Sequence, residues 1–162
     1  MILLDTSMYI AAAQDVELEK LLEELSQKAF IQSCDVVEKE IHRSSEFLRK
    51  TGRKQQAEEL KLIYGKIHRG NITTTERIIN LAEQYHQTAD LSKDKHRDIE
   101  NDFLIVASAS VGSVKTILSL NRKTMASEEM KKVYNIVNSR NKYITPVFLT
   151  TREELSKLLK LP

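Results

Sequence analysis

Short apolar runs and longer stripes at helical spacing take turns along this chain. Ile2, Leu3 and Leu4 form a run too short for a helical stripe, and it ends at once in Asp5, Thr6 and Ser7. Such a run reads as a buried strand of a parallel sheet. Residues 8–13 continue as a short helix. Asp15 stands where it can cap a second one, Val16 to Lys28, whose Leu18, Leu21, Leu22 and Leu25 lie on one stripe. Residues 29–33 read as the second strand. Asp35 is placed to cap the next helix, which runs to about Lys50 with Val36, Val37, Ile41 and Leu48 apolar. Glu38 and Glu40 fall on different sides of it. Glu40 lies beside the core position Ile41, where it can turn toward a cleft above the sheet.

Residues 51–54 form a basic turn. A polar helix follows from Gln55 to Arg69 with Leu60, Ile63 and Ile67 as its stripe, and Gly70-Asn71 ends it. Thr74 or Thr75 starts another helix, to about Gln87, and residues 88–96 read as a polar loop. The stretch from about 52 to 96 therefore reads as a helical insertion without a catalytic role. Its neighbourhood carries Arg49, Lys50, Arg53, Lys54, Lys66, His68 and Arg69, which could follow a phosphate backbone or simply be a solvated face.

Residues 97–109 read as a helix that is polar at its start and nearly all apolar afterwards, closed by Gly112. Val114 to Leu120 is the third strand and runs into the polar cluster Ser119 to Met125. A helix from Ala126 to Arg140, a strand from Pro146 to Leu149 and a last helix, Arg152 to Lys160, capped by Thr150 or Thr151, complete the chain. Strands separated by helices call for parallel connections. The class is α/β: a three-layer α/β/α arrangement with a short parallel sheet of about four to five strands and the helical insertion in the middle. The whole of 1–162 reads as a single domain.

Composition narrows the chemistry. Hydrophobic residues make up 41% and charged residues 30%, the balance of a globular protein rather than a disordered one. The net charge of +2 neither demands nor excludes nucleic acid, because distribution matters more than the sum. A single cysteine, Cys34, rules out an internal disulfide and a cysteine-based zinc site; it reads as a buried thiol at a strand end. The apolar start breaks off at Asp5, unlike a signal peptide, and no apolar run approaches membrane-spanning length. A reducing, cytoplasmic setting and no membrane partner are the expectation.

Polar residues gather at one edge of the expected sheet. Asp5, Ser119 and Asn121 stand at strand ends, and Glu40 and Asp102 come from helices packed on the sheet. Ligands of open α/β sheets bind outside the carboxyl ends of the strands. Asp5 reads either as a helix cap or as the first ligand of a hard cation. Asp98 and Asp102 share a helix face, where like charges repel by a few tenths of a kcal/mol. Asp98 can be a first-turn residue favoured by the helix dipole, but Asp102 lies a turn deeper. Carboxylates brought together from distant positions are most simply explained by Mg²⁺ or Mn²⁺, a combination suited to phosphodiester hydrolysis.

Four stretches carry a resemblance. Asp5-Thr-Ser7 after its strand, Val36-Val-Glu-Lys-Glu-Ile41, Asn101-Asp-Phe-Leu-Ile-Val-Ala-Ser-Ala109 and Leu118-Ser-Leu-Asn-Arg-Lys-Thr-Met125 resemble the successive motifs of PIN domains. These are small nucleases, the VapC-like and archaeal-type members among them. Many are ribonuclease toxins of toxin–antitoxin pairs; others act in RNA maturation and decay. The resemblance implies a metal-dependent endoribonuclease with Asp5, Glu40 and Asp102 as catalytic and metal-holding acids. Asp98 and Ser119 match supporting positions, and Thr6 and Ser7 orient water or phosphate. Asn121 stands where the family usually has Asp: it offers a carbonyl oxygen without charge. Arg122 and Lys123 are placed to hold the substrate backbone. RNA, an antitoxin or other protein partner, and a homodimer are the partners implied.

Other readings remain. A PIN-like module that has weakened or lost catalysis would bind RNA or a protein and cut nothing. A phosphoryl-transfer protein of the haloacid dehalogenase type needs a second Asp where Ser7 stands, and a receiver domain wants an acidic pair at the first strand. No Gly-rich phosphate loop exists. His42, His68, His86 and His96 lack a nucleophile signature nearby.

Overall fold

The computed structural model describes residues 1–89 and 96–160, with the backbone alone at 96–98. Ile2–Leu4 forms β1, the middle strand, all three residues buried. β1 pairs in parallel with β2 (Ile31–Cys34) on one side and β4 (Thr116–Leu118) on the other, with Leu4 opposite Leu118. β3 (Gly70–Ile72) extends the sheet beyond β2, and β5 (Val147–Leu149) extends it beyond β4. The order is β3-β2-β1-β4-β5, all parallel. The chain leaves β1 toward β2 and β3, then crosses to β4 and β5. The reversal falls between β1 and β4, the kind of place where such sheets open a crevice.

Helices flank this α/β sheet. α1 (Thr6–Ala12) packs on α2 (Val16–Lys28) and α4 (Lys54–Ile67), and α2 also on α8 (Arg152–Leu159). α5 (Glu76–Thr88) packs on α6 (His96–Val111) and α7 (Glu128–Asn141), while α3 (Asp35–Lys50) touches both groups. The apolar stripes face the core: Leu18, Leu22 and Leu25 of α2, Leu60, Ile63 and Ile67 of α4, and Ile78, Leu81 and Ala82 of α5 are buried, whereas Ile79, also apolar, is exposed. Asp15 caps α2 through the N–H groups of Glu17 and Leu18, Thr75 caps α5, and Thr151 caps α8. No helix among the described residues is long and apolar enough to cross a membrane.

The stretch around 52–96 is more than a helical insertion. Its residues 70–72 form β3, which pairs with β2, and its helices supply core. Gly70 admits this edge strand closely: a Cβ there would lie 2.8 Å from Gln32 Oε1 and 3.1 Å from the Phe30 ring. The expected strands are also shorter at their ends, β4 spanning only Thr116–Leu118. Four of the seven bases of this region are engaged, while Lys50, Lys54 and Arg69 are exposed. Arg49 pairs with Glu58 and Lys66 with Glu23, Arg53 lies over the Phe47 ring, and His68 stacks on Tyr64. Residues 90–95 of the expected polar loop lie outside the described residues.

Asp35 is not the cap of α3. It is the helix's first residue, and Cys34 holds the cap position without a side-chain bond. The Asp35 carboxylate instead accepts from the Thr74 N–H at 2.7 Å and the Asn71 amide at 2.7 Å, tying β2 to the turn after β3. The Thr74 N–H, followed by the Asn71 amide among the stabilising contacts, holds this carboxyl below its ordinary range. Cys34 is the buried strand-end thiol expected; burial pushes it up to about 11.

Candidate active site

Asp5 follows β1 directly and is only 5% exposed. Its backbone N–H donates to the Leu118 carbonyl of β4 at 3.0 Å, so the residue is fixed at the carboxyl end of the two central strands. It occupies the N-cap position of α1, yet its side chain makes no cap bond. Its Oδ2 instead accepts from the hydroxyls of Ser7 and Ser119, both at 2.8 Å. Ser7 in turn accepts from the Leu120 N–H at 3.1 Å. Neither Thr6 nor Ser7 caps α1; both hydroxyls serve carboxylates.

Glu40, half-buried on α3, receives the Thr6 hydroxyl on Oε2 and the Asn101 amide on Oε1, the latter at 3.0 Å. Thr6 neighbours Asp5 in sequence, and Asn101 neighbours Asp102. Glu40 thus braces the start of α1 against α6. Asp102 is 7% exposed. Its Oδ2 accepts from the Thr124 hydroxyl at 2.6 Å and the Asn121 amide at 3.3 Å. The Asn121 backbone N–H reaches the Ser119 hydroxyl at 3.0 Å, which closes the link from Asp102 back to Asp5. Aromatic rings lie close to Asp102. Tyr134 meets Tyr85 edge-on and stacks on Phe148, with centroids 5.0 and 5.7 Å away. Its hydroxyl has no hydrogen-bond partner among the described residues, and burial, then the Asp102 charge, pushes its pKa up.

Hydrogen bonds join Asp5, Ser7, Ser119, Asn121 and Asp102 in one set, while Thr6 and Glu40 form a second with Asn101, linked to the first only through the neighbouring backbone at Asp5–Thr6 and Asn101–Asp102. Asp98 lies in α6, but its side chain is outside the described residues. Arg122 turns away: its guanidinium donates to the Thr150 carbonyl at 3.3 Å, at the entry to α8. Lys123 is exposed. Thr124 and Asn101 were not singled out from the sequence. An Asx-type turn, Asn followed three residues on by Thr, was the available signal for Thr124. For Asn101 there was only its place beside Asp102.

The donor set is all oxygen, which suits a hard cation in kind. The carboxylates do not close to a ready-made cluster, however. Among the described residues, no three His, Cys, Asp or Glu side chains form a group that could hold a metal ion. Both oxygens of Glu40 and one of Asp102 are already held by neutral donors. No salt bridge among the described residues reaches Asp5 or Glu40.

No family model and no curated protein matches the sequence. Among solved structures, the chain is similar to one in the crystal structure of VapBC2 from Rickettsia felis bound to a DNA fragment from their promoter. The identity is 18% and the TM-score 0.55, over 80% of this chain and 95% of that one. At that identity the likeness is one of fold. With the five-stranded parallel sheet and its flanking helices, it gives this chain a PIN-like α/β architecture.

Proposed function

We propose that this chain is a metal-dependent nuclease of PIN type, an endoribonuclease that hydrolyses RNA phosphodiester bonds. The observation that carries the reading is Asp5. It is a buried carboxylate at the reversal point of a parallel sheet, held by two hydroxyls, without an ion pair among the described residues, and linked to Asp102 through Ser119 and Asn121. A buried charge of this kind is costly unless something compensates it. Asp5, Glu40 and Asp102 would provide oxygens to Mg²⁺ or Mn²⁺. The ion would acidify a bound water and screen the phosphate.

The remaining side chains have roles that follow from their contacts. Ser7 and Ser119 fix the rotamer of Asp5 while leaving its second oxygen for a ligand. Thr6 and Asn101 hold Glu40 at the same edge. Lys123 is exposed next to this edge and would meet the substrate backbone, whereas Arg122 is engaged at the α8 entry. Asp98 is kept as a supporting acid. An antitoxin or another protein, a second copy of the chain, and a cytoplasmic setting belong to the same proposal.

A second reading has an observation in its favour. Without a three-carboxylate group among the described residues, and with Asn at 121, the domain would bind RNA or a protein partner without cutting. One experiment separates the two: end-labelled mixed-sequence RNA with Mn²⁺ or Mg²⁺, with EDTA and Asp5→Asn protein as controls. Cleavage lost in both controls supports the nuclease. Intact RNA with folded wild-type protein, together with binding that weakens as salt rises, supports the RNA-binding module.

A further inference from the structure

In a parallel sheet every strand begins on the same edge, so the starts of β1 to β5 form a second rim, opposite the one that carries Asp5. The stretches that lead into β2, β3, β4 and β5, residues 25–34, 60–72, 103–118 and 130–149, contain no Asp or Glu. They do contain bases. Lys28 and Lys66 are held by Glu24 and Glu23 of α2. Arg69 directly before β3, Lys115 directly before β4 and Lys142 in the turn before β5 are exposed, and no salt bridge among the described residues reaches them. The order β3-β2-β1-β4-β5 sets these three in a line. Neighbouring strands lie about 4.8 Å apart, so the backbones at Arg69 and Lys115, three strands apart, are roughly 14 Å from one another.

Phe30 stands directly before β2, between those two bases. Its carbonyl accepts from the Ile2 N–H at 3.0 Å, which fixes its backbone. Its ring rests against Gly70, where a Cβ would come within 3.1 Å of it, yet the residue is 49% exposed. No aromatic or cationic group among the described residues covers the ring. Phe47, also exposed, differs, because Arg53 lies over it. A lone exposed apolar side chain is ordinary. A ring seated on backbone, bare on its outer side and flanked by unpaired bases is the combination that holds single-stranded nucleic acid, by stacking a base and pairing the phosphates beside it.

We propose that this rim is a binding site for single-stranded nucleic acid, separate from the Asp5 edge, in which Phe30 stacks a base and Arg69 and Lys115 pair phosphates on either side. A line of bases follows a polyanionic chain. A membrane surface calls instead for gathered apolar side chains with bases around them, and here Phe30 and Met1 stand within the line. A duplex fits less well, because its bases are stacked on one another and offer Phe30 no free face.

The test is a titration of the full chain, in EDTA, with fluorescein-labelled oligouridylate of about 12 nucleotides. The Arg69→Ala/Lys115→Ala double variant should lower the slope of log affinity against log salt by about 1.4. Phe30→Leu should weaken binding roughly 5- to 100-fold and leave the slope unchanged, while Phe30→Tyr, which keeps a ring, binds as wild type does. Lys54→Ala on α4 should alter neither quantity, and urea midpoints show that each variant is folded. Wild type that binds no oligouridylate, a duplex RNA bound as tightly as the single strand, or wild-type affinity and salt slope in the double variant and Phe30→Leu would overturn the proposal. So would anionic vesicles bound by wild type and released by the double variant while oligouridylate binding stays level. The titration involves no cleavage, so the failure of the nuclease reading and the failure of this site are separate results.

Discussion

Two buried polar networks lie in this molecule, and they differ in charge. One joins α5, α6 and α7. The Tyr85 hydroxyl donates to Asn138 Oδ1 at 2.5 Å, and Asn138 Nδ2 donates to Ser110 at 3.0 Å and Thr145 at 3.2 Å. Ser110 passes its own proton to the Val106 carbonyl at 2.9 Å. Every member is neutral and each donor ends on an acceptor, so this network closes on itself. The other lies at the ends of β1 and β4. There the hydroxyls of Ser7, Ser119 and Thr124 and the Asn121 amide converge on two buried carboxylates. Neutral donors stabilise a carboxylate without removing its charge. The first arrangement is what a fold uses to fix helices together. The second holds carboxylates at the carboxyl ends of β1 and β4, the edge to which the proposed function assigns its chemistry.

The largest effect expected separates activity from stability. Asp5→Asn should reduce RNA cleavage to the EDTA background, a loss on the order of 1000-fold or more. The Asn side-chain oxygen still accepts from Ser7 and Ser119. With the buried charge gone, the urea midpoint in EDTA should stay level or rise. A variant that cuts RNA normally would remove Asp5 from the reaction. A variant that cuts nothing because it has unfolded would show that Asp5 belongs with the structural kind of network.

The neutral network should respond in the opposite way. Asn138→Ala takes the shorter of the Tyr85 hydroxyl's two partners, leaving it only Ser110 at 3.3 Å, and opens space in a site with no solvent access. The expected cost is about 2 to 3 kcal/mol of unfolding free energy, read by urea denaturation. Mn²⁺ affinity and cleavage per folded molecule should be those of wild type. If cleavage fell while stability held, the two networks would be coupled through α6, which carries both Ser110 and Asp102.

Only the charged half of this contrast was legible in the sequence. The apolar run ending in Asp5 and the polar opening of α6 announced two acids at one sheet edge, and Glu40 beside Ile41 a third. β3 was not legible. Gly70-Asn71-Ile72 has no apolar run, and it is a strand only because β2 offers it backbone partners. The same limit explains Asp35 and Arg122. A rule about caps looks at the next few residues, but the partners of Asp35 are Asn71 and Thr74, and that of Arg122 is Thr150. Thr124 was hidden because a hydroxyl in a polar turn gives no sign of which carboxylate it faces.

Asp35 provides the smallest effect and the sharpest control. Like Asp5 it follows a strand of the sheet directly, but its carboxylate accepts from a backbone N–H and an amide that fix a turn. The Thr74 N–H holds its folded pKa below the ordinary value of 3.8. A depressed carboxyl stabilises the fold fully above its unfolded pKa, and that contribution fades as pH falls through the folded value. Asp35→Asn should therefore lose less than about 1 kcal/mol at neutral pH, since the group is partly exposed and screened. The difference from wild type should narrow as pH drops below about 4, because wild type then protonates Asp35 itself. Urea midpoints of both proteins between neutral and acid pH measure this, and cleavage should be unchanged throughout the neutral range. A difference that widened in acid would reverse the sign of the shift. Lost cleavage would mean that an acid at the end of β2 also serves the site, and that two hydrogen bonds to a turn do not suffice to mark a carboxylate as structural.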